Sequence, residues 1–525
     1  MLAPLDYVVI VVYVIGVAAL GLYAGGRQKS VEDYFLGSRQ LPWWAVSLSI
    51  VATETSTLTV LGVPAVAYGG SFVFLQLAIG YILGRFVVAA FFIPAYFRGE
   101  ITTAYGLLSN RFGSGMRVSA SGTFMITRLL ADGVRLFATA IPVKIIADAA
   151  GFDHFVLLGR TFEVTYTLII VVLAFVTILY TLIGGLRAVV WMDVLQLIIY
   201  VLGAVLAIGL LLTLVSADWM ATARDLNKMQ LFDFDSSSTL RGILTSPYAA
   251  VTAVLGGAVF SMASHGTDHL IVQRLLACKN QRDSQKALVA SAFIVLGQFA
   301  LFLFLGLLLW SFYGGQDVAN LGLSRPDEVF PFFIVEEMPA GLAGLLLAAI
   351  VAAAMSSLSS SLSALASATW NDFISRIKGQ KMNSLLVSRI VTLIWGLIFI
   401  FFASLFESTT EPVVVLGLSI AAYTYGGLLG VFLLGIFSSR ANERDAIISF
   451  FATIVIMATI ILTLRTTSET GWIFSLNVSS LDLVYNDVKQ LAWPWYTTFG
   501  ALLGYTIGSL LSLTHSEAPT NQTPD

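Results

Sequence analysis

The stretch Ala52-Thr-Glu-Thr-Ser-Thr-Leu-Thr-Val-Leu-Gly-Val-Pro64 interrupts an apolar block that is otherwise long enough to span a membrane. Its β-branched threonines, its glycine and its proline all weaken an α-helix. A second apolar block contains Gly256-Gly257 and then Ser261-Met-Ala-Ser-His-Gly-Thr-Asp-His269. Backbone groups freed at such breaks are tolerated in a bilayer only where they line a cavity or meet other protein. The sequence therefore predicts two interrupted helices beside an internal site.

The composition around these stretches is that of a membrane protein. Of the 525 residues, 57% are hydrophobic and 11% are charged, whereas soluble domains carry about 25% charged residues. The net charge of −3 gives no sign of nucleic-acid binding, and the single cysteine, Cys278, excludes a disulfide within the chain and a cysteine metal cluster. We expect a multi-pass protein that contacts a lipid bilayer.

The apolar residues form thirteen blocks, which predict an all-α membrane fold of 13 transmembrane helices. The blocks cover residues 5–24, 41–68, 72–97, 118–147, 163–183, 190–215, 249–272, 287–312, 340–367, 385–405, 412–437, 446–465 and 493–513. Lysines and arginines, Arg274 among them, are concentrated after the odd-numbered blocks, which the positive-inside rule assigns to the cytoplasm. The N-terminus is then outside and the C-terminus inside.

The two interrupted blocks are the second and the seventh, five apart in order. Interrupted helices at matching places in two halves indicate a transporter site, so this spacing predicts a five-plus-five inverted repeat. The predicted organisation is an extra N-terminal span and cytoplasmic loop at 1–40, a first repeat of spans 2–6 at 41–215, a second repeat of spans 7–11 at 249–437, two C-terminal spans at 438–513 and a disordered tail at 514–525. Alternatively, the small residues of these blocks simply allow close helix packing.

The ninth block carries a run of serines, Ser356-Ser-Leu-Ser-Ser-Ser-Leu-Ser363. At 3.6 residues per turn, one helix face holds four of them: Ser356, Ser359, Ser360 and Ser363. Neutral hydroxyls with free carbonyls suit a hard cation of low charge, although each hydroxyl could instead bond a carbonyl one turn back. Asp193 lies inside the sixth block, where an ionisable group is usually paired or functional, unless it stays in water at the interface.

The fourth block places Arg128, Asp132 and Arg135 on one helix face, because their spacings are four and three. One arginine can pair with Asp132, which leaves a guanidinium that would suit a carboxylate. The alternative is that the three side chains tie this helix to its neighbours. Glu54, in the second block, could pair with one of these arginines or meet the solute, and the sequence leaves this open.

These stretches resemble the sodium/solute symporter family, which includes sodium–glucose, sodium–proline and sodium–sialic acid carriers. The resemblance rests on Gln28-Lys-Ser-Val-Glu-Asp-Tyr34 with Gly37, Thr181-Leu-Ile-Gly-Gly-Leu-Arg-Ala-Val-Val-Trp-Met-Asp193, Gly266-Thr-Asp-His-Leu-Ile-Val-Gln-Arg274 and Ala352-Ala-Ala-Met-Ser-Ser-Leu-Ser-Ser360. It reaches from the first predicted span to the ninth. It implies a LeuT-like fold, alternating access and sodium as the coupling ion, without an organic cofactor. The block count fits bacterial members of that family, so we expect a monomer in a bacterial inner (plasma) membrane.

The resemblance also implies site residues. A first sodium ion would be bound by carbonyls of Ala52, Thr55 and Ala353 and by hydroxyls of Ser356 and Ser357. A second would be bound by Asp193, Ser356, Ser359 and Ser360. Solute contacts would come from Ser56, Thr59, Gln76, Arg128 or Arg135, Ser264 or His265, and Tyr423 or Tyr425. The sugar-binding residues of the glucose carriers have no close match, which argues against a sugar, and Glu54 departs from the small or amide side chain expected at its position.

The sequence therefore predicts a symporter that imports a small polar organic solute with sodium, and its arginines favour a small carboxylate. A proton-coupled carrier of the same fold and a non-transporting membrane sensor remain alternatives. An enzyme is not expected, because His265 and His269 have the spacing of zinc ligands but no third ligand is evident.

Overall fold

The chain folds almost entirely into α-helices. The computed structural model describes residues 3–99, 101–149, 151–157, 160–376, 384–405, 413–467, 471–475 and 487–514, so the predicted tail lies outside the described residues from 515 onward. The helices are α1 Pro4–Gly25, α2 Val31–Leu36, α3 Trp43–Glu54, α4 Thr57–Gly69, α5 Leu75–Val87, α6 Ile93–Phe97, α7 Ala104–Arg111, α8 Ser114–Ala149, α9 Tyr166–Leu214, α10 Trp219–Asp225, α11 Leu240–Thr245, α12 Gly257–Gly266, α13 His269–Leu276, α14 Gln281–Phe312, α15 Val329–Glu337, α16 Leu342–Ala368, α17 Ser384–Ser404, α18 Val413–Phe437, α19 Glu443–Thr463 and α20 Pro494–Ser512.

Two small antiparallel sheets correct the purely α-helical prediction. The first pairs β1 (His154–Leu157) with β2 (Arg160–Glu163), and the second has the order β4 (Gly471–Phe474), β3 (Leu464–Thr467), β5 (Lys489–Gln490). Both sheets lie in segments that connect long helices, and β2 is fully exposed. Strands this short form no apolar block of their own, so the block pattern does not predict them.

Both predicted helix breaks are present in the structure. Helix α3 ends at Glu54 and α4 begins at Thr57, and the two helices are bent by 62°. In the second half, α12 ends at Gly266 and α13 begins at His269, with Asp268 as the N-cap of α13. The Asp268 carboxylate accepts a hydrogen bond of 2.9 Å from the Leu270 backbone N–H, which satisfies one of the free donors at the start of the helix.

Helix α9 contains two predicted blocks, because the chain reverses within it. As a straight helix its 49 residues would extend about 74 Å, at 1.5 Å per residue, more than twice the thickness of a bilayer core. Gly185 instead has φ 57° and ψ −160°, a conformation open to glycine alone. A Cβ built on Gly21 of α1 would lie within 3.3 Å of both Tyr180 and Met192. The two arms of α9 therefore pack side by side against α1.

The outer surface of the helices is suited to lipid. Large apolar side chains such as Val12, Ile15, Phe175 and Phe401 are each more than 60% exposed, and an apolar surface of this extent indicates contact with a membrane. Among the described residues, seven helices are long and apolar enough to cross a membrane, or eight if α3 and α4 form one span. The polar α8 and the short α12 do not meet that test, so the count of thirteen and the orientation of the termini stay predictions.

Helix α1 holds the beginning of α16, the helix that carries the serine run. The carboxylate of Asp6 accepts hydrogen bonds of 2.7 Å from the backbone N–H groups of Gly341 and Gly344. A Cβ on Gly344 would come within 2.6 Å of the Asp6 backbone, so glycine permits this approach. A carboxylate at a helix N-terminus is stabilised both by the free N–H groups and by the helix dipole. Asp6 thereby fixes the position of α16.

Glycine also decides the packing of α14 against the interrupted helix, and this gives a prediction. A Cβ on Gly306 would lie 2.0 Å from the Pro64 carbonyl oxygen of α4. We expect Gly306→Ala to lower the free energy of unfolding by about 1–3 kcal/mol, the usual cost of overpacking. Gly297→Ala, in the same helix, is the matched control because its Cβ would meet nothing within 4 Å. Thermal unfolding of both purified variants in detergent checks this, and equal stability would contradict it.

Candidate functional site

The break between α3 and α4 lies against three other helices. The Thr57 hydroxyl donates to the Ile350 carbonyl of α16 (3.4 Å) and accepts from the Thr139 hydroxyl of α8 (3.1 Å). The Thr55 hydroxyl accepts a hydrogen bond of 2.7 Å from Gln298 of α14. Ser56 is the N-cap of α4, and its backbone N–H lies 3.4 Å from the Thr59 hydroxyl. The Thr59 hydroxyl thus accepts from one backbone N–H freed at the break, and the other threonine contacts join the break to its neighbouring helices.

The serine run of α16 faces two sides. Ser357 and Ser361, four residues apart, face α4 and α8: Ser357 lines a small cavity together with Ser56, and Ser361 donates to Asp132. Ser356 and Ser360 face α9 and α13 instead. The Ser356 hydroxyl donates to Asp193 over 2.7 Å, and that of Ser360 accepts from Arg274. The run therefore provides oxygen atoms to two separate neighbourhoods.

The first neighbourhood contains four of the five residues predicted for the first sodium ion. Ala52, Thr55 and Ala353 are fully buried beside the break, and Ser357 is 8% exposed. The Ser357 hydroxyl is 3.2 Å from the Ala353 carbonyl oxygen one turn back. Ser356, the fifth predicted ligand, directs its hydroxyl away from the break toward Asp193. Uncharged oxygens of these kinds are chemically suited to sodium.

The second neighbourhood contains the residues predicted for the second sodium ion. Asp193 is fully buried in the second arm of α9, which excludes a position in water at the interface. One carboxylate oxygen accepts from Ser356, and the other accepts from Ser49 over 2.6 Å and from Arg274 over 3.1 Å. Ser359 donates to the Ser356 carbonyl over 3.0 Å. Asp193, Ser356 and Ser360 thus lie in one cluster, which also contains a guanidinium, whereas the Ser359 hydroxyl is bonded within its own helix.

Arg128 and Arg135 of α8 are both paired, because Asp268 supplies a second carboxylate. Arg128 forms a buried ion pair with Asp268 and donates to the Tyr425 hydroxyl over 2.8 Å. Arg135 is 3.0 Å from Asp132 and is 24% exposed. The cluster therefore carries two positive and two negative charges, so the spare guanidinium expected from the sequence is absent from it. Arg135 also lines the small cavity that Ser56 and Ser357 line.

The remaining predicted solute contacts are spread more widely. His265 is buried, with Nε2 3.6 Å from the Glu54 carboxylate, and Ser264 is 2.8 Å from His265 Nδ1. The side-chain amide of Gln76 is bonded to the backbone of residues 73, 248 and 233, so it supports the fold at that point. Thr59 follows Ser56 in the first turn of α4, and Tyr425 contacts the Arg128 pair. The Tyr423 side chain lies outside the described residues.

Three buried charges were missed in the sequence. Arg85 of α5 is fully buried and pairs with Glu54, so Glu54 does not pair with an arginine of α8. Arg274, which the charge pattern placed in a cytoplasmic loop, is fully buried in α13. Asp372, just after α16, pairs with Arg117 over 2.6 Å and accepts from Ser121 over 2.7 Å. The one sign of such a buried charge in the sequence was an arginine within an apolar block, such as Arg85.

Comparison with known proteins agrees with this geometry. The chain matches the model of the sodium:solute symporter family over residues 34–453. It is 29% identical to the human sodium/iodide cotransporter over 83% of its own length and 66% of that protein. It is 27% identical to the sodium/sialic acid symporter SiaT of Proteus mirabilis over 91% of its length and 93% of that protein.

A solved structure of similar fold is the substrate-bound outward-open state of a Na+-coupled sialic acid symporter. It matches with a TM-score of 0.81 and 24% sequence identity, and the match covers 99% of this chain and 100% of that one. At this level of identity the likeness establishes the shared fold. The arrangement of helices described above is therefore shared with that structure.

Proposed function

Because the chain belongs to the sodium:solute symporter family, we propose that it imports a small polar organic solute by alternating access, driven by two sodium ions. The observation that carries this proposal is the contact between the α3–α4 break and the α16 serines. Ser56 of the break, Ser357 of α16 and Arg135 of α8 line one cavity. Hydroxyls and unwound backbone supply oxygens for a cation, and the guanidinium supplies a recognition point for an anion.

We propose that the solute carries a carboxylate or an equivalent negative charge. Arg135 is the candidate contact, since Arg128 is occupied by Asp268 and Tyr425. The similar proteins named for iodide and sialic acid are named for anions or acids, which supports the same choice. A bound carboxylate would compete with Asp132 for Arg135, so binding would rearrange the α8 cluster.

Sodium would act by joining the helices between which the solute binds. One ion would bind between the break and α16, through Ala52, Thr55, Ala353, Ser356 and Ser357. A second would bind at Asp193, Ser356, Ser359 and Ser360. Each sodium ion that enters gains about 2.3 kcal/mol per 100 mV of membrane potential. With a solute of charge −1 the net charge moved is one, so the potential would support about 1.7 decades of solute accumulation per 100 mV.

The test is a thermal-shift screen of purified protein against small carboxylates, with sodium or potassium as the only added cation. Stabilisation by a solute in sodium alone would identify the substrate class, and uptake into proteoliposomes would then confirm transport. Uptake that follows a pH gradient without sodium would favour the proton-coupled alternative. Solute binding without any uptake would favour the sensor.

The serines give a further prediction. We expect Ser357→Ala and Ser356→Ala to raise the sodium concentration for half-maximal uptake by about three- to tenfold each, the effect of losing one neutral oxygen contact. Ser363→Ala is the matched control, because Ser363 lies in the same helix but contacts Gln273 over 3.2 Å and not the break. Sodium titration of uptake measures the effect. The first sodium site would be wrong if all three variants behaved alike.

A further inference from the structure

The Asp193 cluster already contains a cation that belongs to the protein. Arg274 donates through Nη2 to Asp193 over 3.1 Å and to Ser360, and through Nε to Ser49 over 2.8 Å. Both Arg274 and Asp193 are fully buried. Two of the four oxygens proposed for the second sodium ion, those of Asp193 and Ser360, are therefore occupied by the guanidinium. A sodium ion and Arg274 compete for the same atoms.

Electrostatics makes this competition strict. Asp193 with one cation is a neutral group, which can be buried, whereas the same carboxylate with two cations leaves a net positive charge away from water. The described residues around this pair offer hydroxyls of Ser49, Thr53, Ser356 and Ser360 but no second carboxylate in contact with it. The cluster can therefore neutralise one cation at a time.

We propose that Arg274 is an exchangeable counter-ion of Asp193, which sodium displaces when it binds and which returns when sodium leaves. This rests on the proposed function, since it assigns a partner to the second sodium site. Arg274 lies on α13, the short helix that follows the Thr267–Asp268 break. Its Nη1 also donates a hydrogen bond of 2.9 Å to the Leu270 carbonyl of the same helix. The displaced guanidinium keeps its charge and has no other carboxylate among its described contacts. Its release therefore requires α13 to move away from α3, α9 and α16 until Arg274 reaches water, so this half-helix responds to sodium.

The test measures sodium binding to purified protein by calorimetry in a potassium background, without solute. We expect Arg274→Gln to lower the half-saturating sodium concentration of the Asp193 site by about tenfold or more, because the competing positive charge is gone. Arg274→Lys keeps the charge and should bind sodium as the wild type does. Arg117→Gln, which removes an arginine that pairs with Asp372 and not with Asp193, is the control and should leave sodium affinity unchanged.

The outcomes separate the two proposals. If the wild type binds no sodium, the proposed function fails. If the wild type binds sodium but Arg274→Gln binds it with equal or lower affinity, or Arg274→Lys gains as much as Arg274→Gln, the exchange is overturned. Hydrogen–deuterium exchange of the wild type tests the same idea if Arg274→Gln does not fold. Residues 269–276 should exchange faster with sodium than with potassium, and should not respond to sodium in Asp193→Asn; equal rates in the wild type would overturn the proposal.

Discussion

Asp268→Asn is expected to lower the free energy of unfolding by about 3–5 kcal/mol, the cost of leaving one partner of a buried ion pair alone. Asp268 compensates the buried Arg128, accepts the Tyr425 hydroxyl over 2.7 Å and caps α13. The substitution leaves the guanidinium with Asp132 as its remaining acid, and Asp132 already pairs with Arg135. Thermal unfolding of the purified variant in detergent measures the loss.

Asp148→Asn is the matched control for this experiment. Asp148 also pairs with a basic residue of α8, Lys144, but its side chain is 44% exposed. Exposed ion pairs contribute about 0–1 kcal/mol, so this variant should unfold close to the wild type. If Asp268→Asn were as stable as Asp148→Asn, the buried pair would not hold the second break in place.

Arg135→Gln is expected to weaken solute binding by about 10- to 150-fold, the equivalent of a charge-assisted hydrogen bond of roughly 1.5–3 kcal/mol. The side chain is partly exposed in the cavity beside Ser56 and Ser357, so its loss should cost far less stability than the loss of Asp268. Sodium binding without solute should remain. Calorimetry with the solute found in the screen provides the measurement.

Arg135→Lys distinguishes charge from geometry in the same experiment. Lysine keeps the positive charge but cannot form the two parallel hydrogen bonds of a guanidinium with a carboxylate. We expect it to bind solute more weakly than the wild type and more tightly than Arg135→Gln. Undiminished solute affinity in both variants would remove Arg135 from the binding site and favour an uncharged solute.

Local sequence chemistry was enough to locate the two breaks. The first break is marked by threonines, a glycine and a proline near residue 55, and the second by glycines and polar residues near residue 267. Such residues weaken a helix within a few residues of where they occur, so they can be recognised without coordinates. The periodicity of the serine run likewise predicted that Ser356 and Ser360 share a face, and both contact the Asp193 cluster. These features depend on neighbours along the chain.

Charge pairing could not be predicted in this way. Arg128 and Asp268 are 140 residues apart, and Asp193 and Arg274 are 81 apart, so no helical spacing relates them. Arg274 follows an apolar stretch and was assigned to a cytoplasmic loop on that ground, although it lies fully buried in α13. The reversal at Gly185 and the two small sheets also depend on contacts between distant segments. The predicted spare guanidinium failed for the same reason.

The first helix has a consequence for how the protein can move. At one end, Asp6 of α1 bonds the start of α16; at the other, Gly25 approaches Gly184 of α9 so closely that a Cβ there would lie 2.3 Å from its Cα. Helix α1 thus joins α16 near one of its ends and α9 near the other, and we expect the three helices to stay together as one rigid frame. A covalent cross-link between α1 and α16 should accordingly leave the transport cycle running, whereas one between α13 and α16 should stop it.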